Sequence, residues 1–174
     1  MSLGKFRIEE NVLWSFAPHD VSMILSLVDA ECTGVTAQGA AIVTPGIADW
    51  ALLQLNFANG LKGHIQTSWL HPFKEQRLVA IGSKGMLVFE DSVPEWNGKL
   101  QLYRHHIDRE GSVPVPHPAA AELIIVEKSE PLRNECQHFL DCIANGATPL
   151  TDGAEGLAVL SVLCRGSDAL VSTA

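Results

Sequence analysis

The chain has 174 residues, of which 47% are hydrophobic and 18% charged, enough for a packed core and too apolar for a disordered chain. Its formal net charge is −8 at pH 7, and its 12 Lys and Arg residues are scattered, which argues against nucleic acid as a partner and leaves room only for a small anionic ligand. No apolar run reaches the length of a membrane span and no signal peptide opens the chain, so no membrane partner and a cytoplasmic location are expected.

Residues 1–4, opening Met1-Ser2-Leu3, read as an expression leader, and Lys5 to Leu13 as an extended lead-in. A helix is predicted from Pro18 to Ala30, with Pro18 in the first turn, where a missing N–H costs nothing. Val21, Ile24, Leu25 and Val28 form its apolar face, and Cys32-Thr33-Gly34 ends it. A strand follows over Val35–Val43, then a Pro45-Gly46 turn. The next strand, Ala48–Phe57, places Leu53, Leu55 and Phe57 on one face by period two. Asn59-Gly60 is a strong hairpin signal. The return strand, Leu61–Leu70, then has Leu61, Gly63, Ile65, Thr67 and Trp69 on one face and His64, Gln66 and Ser68 on the other.

A second hairpin is predicted from Leu78–Ile81 and Gly85–Glu90 across Ser83-Lys84, followed by a strand over Leu100–Arg104. Gly111–Pro118, with prolines at 114, 116 and 118, reads as an exposed loop, and Ala121–Lys128 as a last strand. Two helices close the chain. Pro131–Asn145 carries Leu132, Cys136, Phe139, Leu140 and Ile143 in one stripe, with Gly146 as its stop. Asp152 caps the second, which bears Leu157, Leu160, Val162, Leu163 and Leu170.

This order predicts an α+β fold in which an open, mostly antiparallel sheet has helices packed on one face, with residues 5–174 as a single domain. The glycines at 34, 39, 46, 60, 63, 82 and 85 never form GxGxxG after a strand, so the dinucleotide-binding fingerprint is missing from this chain. Cys32, Cys136, Cys142 and Cys164 make no CxxC pair, and free thiols in a reducing compartment are expected. Adjacent His105-His106 on a strand point to opposite faces, which argues against a metal site there. His19-Asp20 places a titratable imidazole where the chain enters a helix.

Several separated segments resemble the C-terminal domain of the Gfo/Idh/MocA oxidoreductases. They are the stretch from Leu13 to Asp20 (Leu-Trp-Ser-Phe-Ala-Pro-His-Asp), Phe57-Ala58-Asn59-Gly60, Thr67-Ser68-Trp69-Leu70-His71-Pro72 and Val79 to Met86. Pro131 to Leu140 and Pro149-Leu150-Thr151-Asp152-Gly153 complete the set. The Trp-Ser-Phe-Ala-Pro-His-Asp form is closest to the branch acting on nucleotide-linked amino sugars.

The resemblance implies the substrate-binding and oligomerisation half of an NAD(P)-dependent sugar dehydrogenase. NAD or NADP would be bound mainly by an N-terminal Rossmann domain, the substrate would be a sugar or nucleotide sugar, and the sheet face would make a dimer or tetramer. His19 falls on the family's catalytic histidine, where a neutral imidazole can take the sugar hydroxyl proton as the hydride leaves. The family often has Asp where this chain has Ser15, and Asp20 is the nearest carboxylate that could substitute. Trp14, Ser15, Asp20, Trp69 and His71 are candidate substrate contacts, with Lys74 and Arg77 as candidates for a diphosphate. The alternative is a non-catalytic assembly or ligand-holding module fused to another sugar-modifying enzyme, such as an acyltransferase.

Overall fold

The computed structural model describes residues 6–109 and 111–171; the leader at residues 1–4 lies outside them. The chain forms two compact units, one running to Phe73 and resuming at Asp141, the other covering Lys74–Leu140.

The first unit begins with α1 (Val12–Leu27). This helix starts six residues earlier than Pro18 and ends before Ala30, so His19 and Asp20 lie in its interior and not at its start. The N-terminus is fixed by Asn11, whose side chain accepts the Leu13 N–H at 3.1 Å. The Val12 N–H is satisfied by the Ala48 carbonyl at 2.9 Å. Pro18 removes one helical hydrogen bond and crowds the turn before it, at a cost of about 3 kcal/mol. Burial of Val12, Leu13, Ala17 and Val21, all 0% exposed, offsets that cost.

Strands β1 (Cys32–Ala40), β2 (Trp50–Phe57) and β3 (Lys62–Ser68) form an antiparallel sheet in that order. The register pairs Val35 with Leu55 and Leu53 with Ile65. Gly60, at φ 84°, makes the β2–β3 turn in a conformation that side chains disfavour. Leu53, Leu55, Phe57, Ile65 and Trp69 are buried on one face, as their alternation predicts.

That face is covered by α1 and by α3 (Gly153–Val171). Asp152 caps α3 through the Ala154 and Glu155 N–H groups at 2.9 and 3.0 Å. A Cβ at Gly166 would come within 2.9 Å of Leu53, so glycine permits the close approach of helix and sheet. Val159, Val162, Leu163 and Leu170 point inward. Leu157 and Leu160, expected with them, are 69% and 50% exposed, because helical spacing turns them to the opposite side.

In the second unit, β4 (Arg77–Gly82), β5 (Gly85–Glu90), β6 (Leu100–Tyr103) and β9 (Ala121–Leu123) make a four-stranded antiparallel sheet. β7 (His106–Asp108) and β8 (Val115–His117) form a separate two-stranded ribbon. The predicted 111–118 loop therefore contains a strand. Pro116 is tolerated opposite Ile107 because a two-stranded ribbon has only edges. The last strand stops at Leu123, short of Lys128.

Helix α2 (Pro131–Asn145) has its predicted bounds. Gly146 ends it at φ 64°, and the Ala147 N–H returns to the Cys142 carbonyl. The buried α2 side chain is Cys142, whereas Leu132, Phe139, Leu140 and Ile143 of the apolar stripe are 58–72% exposed.

Candidate functional site

α1 carries the polar residues that the sequence singled out. Ser15 and His19 are four apart and share one face of the helix, and Asp20 is turned about 100° from His19. His19 is exposed and Asp20 half-buried. Burial pushes the Asp20 carboxyl above its ordinary range, and the neighbouring His19 charge pulls it partly back. The Ser15 hydroxyl is buried and has no hydrogen-bond partner among the described residues. An exposed imidazole one turn from a hydroxyl and beside a carboxyl can accept and pass on a proton from a bound alcohol.

The start of α1 is held by a residue that sequence reasoning missed. Asp49 is 1% exposed, and its Oδ2 accepts the Ile42 and Val43 N–H groups at 2.9 and 2.6 Å. The carboxylate thus closes the β1–β2 connection, whose Ala48 carbonyl takes the Val12 N–H. Nothing in Ala48-Asp49-Trp50 marks a buried carboxylate, because Asp is ordinarily a surface residue. Beside this junction lies an open cleft of about 290 Å³ with Glu10, Asn11, Trp14, Ile47 and Ser167 on its walls. Glu9 and Glu10 lie on its rim, where Arg7 pairs with Glu10.

The other candidates are dispersed. Trp69 is a core side chain, 2% exposed, with its ring edge-to-face against Phe6 at 6.0 Å. His71 is exposed, its ring 5.7 Å from that of Phe73. Lys74 and Arg77 belong to the second unit. There Lys74 is 3.6 Å from Asp91, and Arg77 bonds Glu90 at 2.7 Å. Hydrogen bonds from Ser92 and then Arg77 hold the Glu90 carboxyl below its usual range. Both cations thus meet carboxylates of their own unit, which reduces the positive potential they offer an anion.

The described residues do not by themselves fit a nicotinamide dinucleotide. All their strand ladders are antiparallel, and no strand leads through a glycine-rich turn into a helix. No helix among them is long and apolar enough to cross a membrane.

Residues 5–88 match the GFO/IDH/MocA C-terminal domain. Over that stretch the chain is similar to this family's C-terminal domain. The UDP-N-acetylglucosamine 3-dehydrogenase of Acidithiobacillus ferrooxidans is 28% identical over 158 residues, covering 88% of this chain and 47% of that protein. A crystal structure of that enzyme, GnnA, superposes with a TM-score of 0.79 at 24% identity, over 98% of this chain and 52% of the other. The WlbA dehydrogenase of Bordetella pertussis, solved with NADH and UDP-GlcNAcA, gives a TM-score of 0.63 at 18% identity, over 95% and 45%. The chain thus spans about half the length of these relatives. What it resembles is part of these dehydrogenases and, over residues 5–88, the GFO/IDH/MocA C-terminal domain.

Proposed function

We propose that residues 5–174 are the substrate-binding and oligomerisation domain of an NAD(P)-dependent nucleotide-sugar dehydrogenase. The supporting observation is that α1 presents His19 to solvent, one turn from Ser15, within a fold shared over 98% of the chain with a UDP-N-acetylglucosamine 3-dehydrogenase. In this reading the cofactor is held by an N-terminal Rossmann domain and supplies the hydride chemistry. His19 takes the proton of the sugar hydroxyl. Asp20 biases the imidazole, and Trp14 and Ser15 of the same helix shape the substrate side. The exposed apolar sheet of the second unit provides a surface for a dimer or tetramer. The protein works in the cytoplasm, and these residues alone are inactive.

The test uses the complete natural gene product with UDP-N-acetylglucosamine and NAD or NADP. Reduced nicotinamide should appear at 340 nm, and His19→Ala should lower kcat by about 10²–10⁴. Unchanged turnover in His19→Ala would remove the imidazole from the reaction. Lack of any turnover, together with an unrelated upstream domain, would favour the assembly module.

A further inference from the structure

The β7–β8 ribbon sets two imidazoles side by side, outside everything assigned above. His106 and His117 are register partners across the ladder. Their ring centroids are 4.6 Å apart and their planes within 11°. Both are exposed. Sequence alone does not show the pairing, because His117 falls in a proline-rich stretch that reads as a loop and His106 adjoins His105.

We propose that His106 and His117 form a two-imidazole clamp for a borderline divalent cation such as Cu²⁺, Ni²⁺ or Zn²⁺. Directly opposed residues of an antiparallel pair have Cβ atoms about 4.5–5.5 Å apart and project from one face, so both rings reach the same point in space. An imidazole nitrogen binds such ions at about 2.0–2.1 Å, so one ion bridges nitrogens some 3–4 Å apart. Stacked rings aim their in-plane lone pairs side by side, so binding one ion requires each ring to turn about its Cβ–Cγ bond. Imidazole is a preferred ligand for these ions, and among them affinity peaks at Cu²⁺. His105 follows the opposite alternation and stays outside the clamp. Among the described residues no three His, Cys, Asp or Glu side chains gather into a metal cage, so the remaining coordination positions go to water and the site is open.

The test is a titration of the untagged chain with Cu²⁺, followed by paramagnetic broadening of the imidazole carbon-bound proton signals. The His106 and His117 signals should disappear first, at substoichiometric copper. His106→Gln or His117→Gln should weaken binding about tenfold or more, while His105→Gln leaves it unchanged. Zn²⁺, which is diamagnetic, should shift the same two rings. Should a variant lose the ribbon, the copper titration of the unsubstituted chain still decides. Broadening that strikes His19, His64 and His71 as early as the pair would overturn the proposal. So would equal losses in His105→Gln and His106→Gln.

Discussion

In β2, Leu53 and Leu55 are 0% exposed, whereas Ile81 of β4 is 77% exposed and Leu87 of β5 is 42%. Both sheets contain antiparallel hairpins. Local chemistry, a turn with strand-forming residues either side, is enough to make each hairpin. What separates them is the cover supplied by distant segments. α1 and α3 bury the first sheet, whereas no described residue from 74 to 140 is buried. Strand formation is therefore a local property here, and burial a long-range one.

The contrast can be attacked by substitution on each side. Leu53→Ala should cost about 3 kcal/mol in chemical denaturation, since a fully buried side chain leaves a cavity against Leu13 and Gly166. Asp49→Ala should cost about 2 kcal/mol, because the Ile42 and Val43 amides lose their acceptor; faster hydrogen exchange at those two amides would report the same event. On the second sheet, Ile81→Ser should stay within about 0.5 kcal/mol in the monomer. The same change should lower self-association in sedimentation if that face joins copies of the chain. A loss from Ile81→Ser as large as that from Leu53→Ala would erase the contrast.

The smallest effect belongs to Asp20. Its carboxyl is raised by burial, so the folded state favours the protonated form. Stability is full below the ordinary aspartate range and declines as pH rises through the raised value. Asp20→Asn should therefore match the parent near about pH 3 and exceed it at about pH 7 in thermal melts.

The same contrast explains what was legible in the sequence. Asn59-Gly60, the bounds of α2 and the Asp152 cap follow from local signals and appear where they were expected. The start of α1 does not, because Pro18 is a strong local signal that tertiary burial of Val12 and Leu13 overrides. β8 was missed because three prolines mask a strand that needs only one partner. At the site, Ser15, His19 and Asp20 were visible as residue types, but their place inside a helix was not. Asp49 carried no signal, since its partners are backbone amides that any sequence supplies.

Arg165 on α3 donates to the carbonyls of Cys32 and Thr33, 133 and 132 residues away in the chain, both at 2.9 Å. During synthesis, α1 and β1–β3 emerge well before α3, the second of the two helices that cover the sheet. At about 5–20 residues per second, the nascent chain carries a leucine face lacking its α3 cover for several seconds. The ribosome thus releases this protein through an interval in which its most stable sheet is also its stickiest. A chain stopped before Gly153 should collect in the insoluble fraction and bind holdase chaperones.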